Sequence, residues 1–427
     1  MNRRHLLATA GLGLAAGALS ACAPSSSSPA PGGSGGTTLT VWSWRPEDKD
    51  AYATFFQKYQ DSHPGITVAF QTFKNTEYPQ VLTTGLTGSN GPDIAQVQAY
   101  GKLQPYVDGG NLLPLDGEIA GLDKIDKAAL AGATGRKDGK TYGVPFAVQT
   151  IQMFYNKALF AKHNLTAPTT WDEFIAVNDA LLAAKITPIA VGGKDAWTLP
   201  VVHEALGSAV YGGIPFRDEV VAGKTDFTDP RFVASVQVLT DLQKYLPANV
   251  VGVSYTEAQS LFLAGQAAMF PGGSFEFGFF TSQNADLELG VFQVPPAPGA
   301  ASSTALTPGY ADGSWAINQA TAHRAEALEL LTWMASPEYG QLFADALGQM
   351  SPIEGVAPSQ PLVAEMAKNY AEHPSRYLLL TDFRWGSPLG TDVMGNKLQE
   401  LFLGKINATG VAEGVQKGIA TWFTPSK

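Results

Sequence analysis

Apolar and polar residues alternate after residue 37 in a pattern that predicts strands and helices in turn. The predicted elements are a strand at Thr38–Trp42, a helix from Pro46, a strand at Ile66–Phe70, a helix from about Glu77 to Leu86 and a strand through Val97. The first helix carries four aromatic residues at helical spacing, namely Tyr52, Phe55, Phe56 and Tyr59. A β-α-β-α-β unit of this kind predicts a parallel sheet with ligands at the carboxyl ends of its strands.

The stretch from Tyr142 to Phe160 departs from this pattern. Two short runs read as strands, with Tyr142, Val144 and Phe146 in the first and Ile151, Met153 and Tyr155 in the second. Between them lies an irregular segment, Ala147–Thr150, that has no turn signal. This arrangement predicts a chain that passes from one lobe to another, and Gln149 is expected to face the space between the lobes.

The chain beyond this crossing also reads as α/β. Thr170 and Glu173 have the spacing of a capping box, which predicts a helix with Trp171, Phe174, Val177, Leu181 and Leu182 on its buried side. Further predicted elements are a strand at Ile186–Val191, a helix at Ala258–Ala264, a strand at Ala267–Phe270, a turn at Pro271–Ser274, a return crossing at Thr307–Ile317, helices at Ala322–Ala335 and from Ser336 to Gly348, and a largely helical tail from Pro361 that is interrupted at Asp382–Gly390.

Length, charge and motif content narrow the function classes. A chain of 427 residues is too long for one hydrophobic core, so two lobes are expected. The formal net charge of -10 argues against a nucleic-acid partner. No glycine-rich loop ends in Gly-Lys-Ser/Thr, and the histidines lack metal-ligand spacing. We therefore expect no cofactor and no metal.

The N-terminus has the features of an export signal. Residues 1–21 read as a signal peptide, in which Arg3 and Arg4 fit either a twin-arginine signal or a Sec signal with two arginines. Leu19-Ser20-Ala21-Cys22 resembles the bacterial lipobox, and residues 22–37 form a Pro/Gly/Ser-rich stretch that predicts a lipidated flexible tether. The protein is thus expected to be exported and anchored through Cys22 to the outer face of the cell membrane as a lipoprotein.

Four short motifs, taken in their order and spacing, resemble the family 1 extracellular solute-binding proteins of ABC importers, the maltose-binding-like group. They are Gly91-Pro92-Asp93, the crossing from Tyr142 to Asn156, the run from Phe262 to Met269, and Trp315-Ala316-Ile317. The resemblance implies an α/β, two-lobed periplasmic-binding-protein-like fold of type II, in which each lobe is a sheet flanked by helices and hinge crossings join the lobes. We expect the N-terminal lobe at 38–147 plus 311–355 and the C-terminal lobe at 148–310 plus 356–427.

Aromatic rings, amides and a few charges follow the strands at the predicted cleft. Sugars present C–H faces that stack on flat rings, and hydroxyls that pair with amides, carboxylates and arginine. The resemblance and this inventory give ten candidate ligand-binding residues: Trp44, Arg45, Gln96, Gln98, Gln149, Trp197, Phe275, Tyr310, Asp312 and Trp385. The resemblance places Phe275 where many relatives have Trp, which implies a smaller stacking ring at that position. Packing alone is an alternative role for Trp44, backbone hydrogen bonding in a hinge for Gln149, and bracing between helices for Arg384 and Trp385.

The function implied is capture of a sugar or oligosaccharide between the lobes, without catalysis, and delivery to the transmembrane subunits of an ABC permease. We expect a monomer.

Two alternatives stay open at this point. The same fold could carry a non-sugar solute, such as a polyamine or a metal, although no adjacent tyrosine pair is present and the acidic cluster is thin. A glycoside hydrolase could use Glu276 and Asp312 as its two acids, since it needs two carboxylates at a suitable separation.

Overall fold

The computed structural model describes residues 36–88 and 90–425, which form two β-sheets flanked by helices. The predicted signal peptide and Cys22 lie outside the described residues. In chain order the strands are β1 (Thr37–Ser43), β2 (Ile66–Thr72), β3 (Ile94–Gln98), β4 (Val144–Pro145), β5 (Val148–Asn156), β6 (Thr187–Ile189), β7 (Ala267–Gly273), β8 (Leu289–Phe292), β9 (Thr307–Ala311), β10 (Gly313–Ile317) and β11 (Pro374–Arg376).

The α-helices lie between these strands and after them. They are α1 (Lys49–Ser62), α2 (Tyr78–Thr87), α3 (Gln104–Asp108), α4 (Lys127–Ala131), α5 (Lys157–Lys162), α6 (Trp171–Ala183), α7 (Thr198–Tyr211), α8 (Gly213–Val221), α9 (Pro230–Asp241), α10 (Tyr255–Leu263), α11 (Glu276–Gln283), α12 (Arg324–Met334), α13 (Pro337–Leu347), α14 (Pro361–Glu372), α15 (Leu378–Thr381), α16 (Gly390–Phe402) and α17 (Ala408–Ile419).

The first sheet has the strand order β2-β1-β3-β10-β4. Strand β1 runs parallel to β2 and β3, whereas β10 runs antiparallel to β3 and β4. Its core contains the predicted aromatic side of α1, since Tyr52, Phe55, Phe56 and Tyr59 are all buried. This core is assembled from residues 39–147 and 311–353.

The second sheet has the order β11-β9-β5-β7-β6, with β8 paired to β5. Strand β5 is central and runs antiparallel to β7, β8 and β9. The helices that cover it form a separate core, which draws on residues 153–294 and on the C-terminal helices through Ile419. Because the two sheets have separate cores, the space between them is not filled by either core. We therefore expect the functional surface where the chain passes from one sheet to the other.

The structure corrects the predicted crossing. The first predicted strand is reduced to Val144–Pro145, and the segment predicted as irregular is mostly strand, because β5 already starts at Val148. Val148 and Gln149 pair with Ala311 and Tyr310 of β9, which supplies the backbone hydrogen bonds that the sequence pattern did not reveal.

Two smaller predictions are also wrong. Pro271–Gly273, predicted as a turn, continues β7 because it pairs with β5. Leu182, predicted to be buried, is 43% exposed on α6. The capping box of that helix is confirmed, since Thr170 and Glu173 bond each other's backbone amides.

Asp93 ties three segments of the first sheet together. Its carboxylate accepts hydrogen bonds from the Thr40 backbone N–H at 2.7 Å, from Thr40 Oγ1 at 2.9 Å and from Thr321 Oγ1 at 2.5 Å. The residue is 8% exposed. These bonds connect β1, the entry to β3 and the turn after β10, so they hold the strands whose carboxyl ends border the cleft.

We expect Asp93→Ala to lower the free energy of unfolding by roughly 2–4 kcal/mol, because three partly buried donors lose a charged acceptor. Urea unfolding followed by circular dichroism measures this. Asp286→Ala, at an exposed carboxylate without a side-chain hydrogen bond, is the matched control and should change stability by less than about 0.5 kcal/mol. Equal losses in both variants would contradict the role of Asp93.

Candidate functional site

Two chain segments connect the sheets side by side. The first runs from β4 into β5 through Phe146 and Ala147, and the second runs from β9 into β10 through Asp312. They are bonded to each other, since the Asp312 N–H donates to the Ala147 carbonyl at 3.1 Å and the Phe146 N–H donates to the Gly313 carbonyl at 3.2 Å. The end of α13 also reaches this place, where the Val148 N–H donates to the Met350 carbonyl at 2.9 Å.

The side chain of Gln149 lies at the centre of this junction and is fully buried. Its Nε2 donates to Gln349 Oε1 at 2.9 Å and to Asp312 Oδ2 at 3.2 Å. Its Oε1 accepts a 2.6 Å hydrogen bond from Ser274 Oγ. The amide thus joins both connecting segments to the residue that follows β7, and its hydrogen-bonding capacity is largely satisfied by protein groups.

Arg45 and Asp312 form the charged part of the junction. Arg45 Nη1 lies 3.9 Å from Asp312 Oδ2, and Arg45 Nε pairs with Asp48. Burial opposes the charged form of Arg45, but the carboxylates of Asp48, Glu47 and Asp312 raise its pKa above the usual range. Burial also raises the pKa of Asp312, and this effect outweighs the opposing effects of Arg45 and Gln149.

The second lobe contributes a small recess beside the junction. Its lining includes Trp197, Tyr255, Phe275 and Glu276 together with Val201. Trp197 immediately precedes α7, Tyr255 begins α10, and Phe275 immediately precedes α11, which begins at Glu276. Three helix starts therefore meet at one place, where their polar backbone groups and side chains can face a ligand.

Within the recess, Trp197 packs edge-on against Tyr255 with ring centroids 4.8 Å apart. Trp197 is 46% exposed, an unusual exposure for so large a ring. Glu276 is almost fully buried and accepts hydrogen bonds from Tyr255 Oη at 2.7 Å and Gln259 Nε2 at 2.8 Å. Burial raises the pKa of Glu276 to about 7 despite these hydrogen bonds and the charge of Arg45.

Tyr310 and Trp385 lie on another side of the cleft. Tyr310 packs edge-on against Tyr377 at 5.5 Å, and Trp385 packs edge-on against Tyr100 at 6.2 Å. The guanidinium carbon of Arg136 lies 5.8 Å from the centre of the Trp385 ring. Trp385, which follows α15, is therefore held by residues that belong to the first lobe.

The structure brings together seven of the ten candidate ligand-binding residues around the space between the sheets. Arg45, Gln149 and Asp312 lie at the junction, Trp197 and Phe275 line the recess, and Tyr310 and Trp385 lie beyond it. Their contact with a ligand remains a prediction.

The other three candidates lie further inside the first lobe. Trp44 is 4% exposed and packs between Tyr78 and Phe146. Gln96 is fully buried, and its Oε1 accepts a hydrogen bond from Ser43 Oγ at 2.6 Å. Gln98 is half-buried, and its Oε1 has no hydrogen-bond partner among the described residues.

Three residues of the site were missed by sequence reasoning, namely Tyr255, Ser274 and Gln349. Tyr255 follows the capping residue Ser254 and reads as an ordinary first helical position. Gln349 comes directly after Gly348, which ends α13 in a left-handed conformation, so its sequence context indicates only a loop. Only their long-range partners, Glu276 and Gln149, reveal a role.

In residues 36–88 and 90–425, no group of three or more His, Cys, Asp or Glu side chains is arranged to hold a metal ion. In the same ranges, none of the helices is both long and apolar enough to cross a membrane.

The architecture of two sheets, connected side by side around a lined cleft, is that of a type II solute-binding fold. Residues 43–341 match the family described as bacterial extracellular solute-binding protein. The chain belongs to that family.

Individual relatives agree with this assignment. The chain is 27% identical over 302 residues to the multiple sugar-binding protein of Streptococcus mutans. The aligned region covers 67% of each of the two chains. A structure from a study of xylan utilisation by Caldanaerobius polysaccharolyticus has a TM-score of 0.77 and 22% identity, covering 89% of this chain and 99% of that one. An ABC transporter solute-binding protein of Thermotoga lettingae, bound with α-D-tagatose, has a TM-score of 0.72 and 20% identity, covering 90% and 99%. The two structural likenesses establish the fold.

The raised pKa of Glu276 predicts a pH dependence of stability. In the unfolded chain this carboxyl titrates near 4.5, whereas in the folded protein it titrates near 7. Between these values the folded state holds the extra proton, so the unfavourable contribution of Glu276 appears as the pH rises through this window and is complete above it. Glu276→Gln removes that contribution.

We therefore expect Glu276→Gln to gain stability relative to the wild type between pH 5 and pH 8, by on the order of 3 kcal/mol. Melting temperatures measured across that range test this, with the exposed Glu413→Gln as the control. A difference between Glu276→Gln and the wild type that does not change with pH would contradict the assignment.

Proposed function

We propose that this protein captures a sugar or oligosaccharide in the cleft between its two lobes and delivers it to the transmembrane subunits of an ABC permease. The lobes proposed are 38–147 plus 311–355 and 148–310 plus 356–427. The observation that carries the proposal is the exposed ring of Trp197, which stands beside Tyr255 and the buried carboxyl of Glu276. A ring next to hydrogen-bonding groups matches the two kinds of surface that a sugar presents.

The junction supports a mechanism that depends on lobe movement. Gln149 bonds to Asp312, and Arg45 lies 3.9 Å from Asp312, so the two connections are tied together at one point. A change in the angle between the lobes at this point alters the width of the cleft. A ligand that touches both lobes stabilises the closed form in proportion to its preference for that form. The closed form is then the one that the permease recognises.

Relatives support sugar as the solute class. One is named a multiple sugar-binding protein, and a structural neighbour is bound to a monosaccharide. The family is one of binding proteins, so we propose no catalytic step. A hydrolase that uses Glu276 and Asp312 stays testable, because it would release reducing sugar from the same oligosaccharides.

The purified protein should be stabilised by one class of oligosaccharide in a thermal-shift screen, by about 2.7 kcal/mol at a hundred times the dissociation constant. Trp197→Ala should weaken that ligand roughly tenfold, because the stacking surface is lost. Leu403→Ala is the control, since Leu403 is similarly exposed at 54% and lies outside the cleft. A response to polyamines or metal ions in place of sugars would contradict the sugar assignment, and turnover of the oligosaccharide would contradict the absence of catalysis.

We also propose that Cys22 carries the lipid anchor. It is the one cysteine of the sequence, and it ends a lipobox-like Leu-Ser-Ala-Cys segment. Several acyl chains on one residue hold a protein at a membrane stably, whereas one chain binds only marginally. The Pro/Gly/Ser-rich stretch that follows has the composition expected of a tether between the anchor and the lobes.

Cys22→Ser should move the protein from the membrane fraction to the soluble extracytoplasmic fraction in the bacterium that produces it. Fractionation followed by immunoblotting measures this. The control is Ser25→Ala, which alters the same stretch and should leave the protein at the membrane. Membrane retention of Cys22→Ser would show that the anchor lies elsewhere.

A further inference from the structure

Two cations lie on neighbouring segments where the lobes meet. Lys102 comes directly before Leu103 in the core of the first lobe, and Arg384 lies between α15 and α16 of the second. Gly101, the residue before Lys102, is in close backbone contact with Arg384, since a Cβ built on Gly101 would lie 1.3 Å from the Arg384 carbonyl oxygen. Burial lowers the pKa of Lys102, and the charge of Arg384 lowers it further.

Neither cation has an ion-pair partner in the described part of the chain. The Nε of Arg384 is buried and makes no hydrogen bond there. The acid whose charge acts on both is Asp392, which is exposed and forms no ion pair with either within 4.0 Å. In contrast, Arg217 pairs with Asp382 at 2.6 Å.

Burial lowers the pKa of both groups, that of Lys102 to about 8. The buried Nε of Arg384 has no hydrogen-bond partner among the described residues, which is costly, and an anion brought next to it would remove that cost. The arrangement therefore suits an anionic group.

This pair belongs to the cleft. Arg384 precedes Trp385, whose ring packs against Tyr100, and the Tyr100 hydroxyl oxygen accepts a 2.9 Å hydrogen bond from the Ala311 N–H. Residues 384–385 therefore lie beside the β9–β10 connection. From there, Tyr310 packs against Tyr377, which shares an apolar cluster with Val201 of the recess lining.

We propose that the sugar ligand carries an anionic group, a carboxylate or a phosphate, which Arg384 and Lys102 bind while its neutral part lies against Trp197 and Tyr255. This deepens the proposed function and rests on it. The guanidinium supplies a planar fork that suits either anion, and Lys102 adds a second charge from the opposite lobe. Binding the anion would thus draw the two lobes together. The acids Glu276 and Asp312 are then left to accept hydrogen bonds from hydroxyls.

The test is isothermal titration calorimetry with matched pairs of ligands. One set is uronic-acid-containing oligosaccharides and the same compounds after reduction of the carboxyl to a hydroxymethyl group. A second set is hexose 6-phosphates and the free hexoses. We expect one anionic series to bind at least tenfold more tightly than its neutral partner, and the responding series identifies the group as carboxylate or phosphate.

Arg384→Gln should weaken the anionic ligand by on the order of ten- to hundredfold and change the neutral partner by less than about threefold. Lys102→Gln is a second variant at a partly exposed side chain and should give a smaller loss in the same direction. Arg324→Gln removes an arginine paired with Glu118 on the surface and should change neither affinity. Melting temperatures without ligand confirm that the variants fold.

Three outcomes would overturn the proposal. Equal or tighter binding of the neutral partners would refute an anionic ligand while leaving sugar capture intact. Equal loss of both partners in Arg384→Gln would assign that residue to general packing. Absence of binding by any sugar, anionic or neutral, would refute the proposed function itself and this proposal with it.

Discussion

The fold of the cleft depends on one buried amide, that of Gln149. Its hydrogen bonds to Gln349, Asp312 and Ser274 join the end of α13, the β9–β10 connection and the residue after β7. Buried polar groups are costly when unpaired. Moving any one of these three segments would break a hydrogen bond of Gln149, so the bonds hold the segments in place relative to each other. Because both connections between the sheets pass through this point, the same hydrogen bonds that stabilise the junction also determine where the two walls of the cleft stand.

Charge in the cleft is distributed unevenly around this junction. Arg45 is surrounded by Asp48, Glu47 and Asp312, whereas Arg384 has no ion-pair partner among the described residues. Burial raises the pKa of both Glu276 and Asp312, and their carboxyl oxygens can accept hydrogen bonds. Such a surface suits a ligand with many hydroxyls, and the exposed ring of Trp197 provides the apolar area that sugars also require.

Much of the fold could be predicted from the sequence, because local patterns determined it. The aromatic spacing of α1 identified its buried side, and the Thr170–Glu173 capping box located the start of α6. Predictions failed where long-range pairing decided the structure. Val148 and Gln149 form a strand only because β9 lies beside them, and Pro271–Gly273 extends β7 only because β5 does.

The site was predictable only in part for the same reason. Gln149, Asp312 and Trp197 stood out by their position after strands or at the crossing, and the structure gathers them around the cleft. Strand alternation could not show that Gln96 lies in the core, since its partner Ser43 is distant in sequence. The roles of Tyr255 and Gln349 likewise depend on residues far along the chain.

The central claim is that a sugar closes the two lobes around the Gln149 junction. The most direct measurement is the distance between the lobes with and without ligand, by electron–electron resonance of spin labels. Labels placed at the exposed positions Lys74 and Lys194 in a Cys22→Ser background would report on one lobe each. We expect a shorter and narrower distance distribution when the sugar is saturating. Tight sugar binding with an unchanged distribution would contradict it.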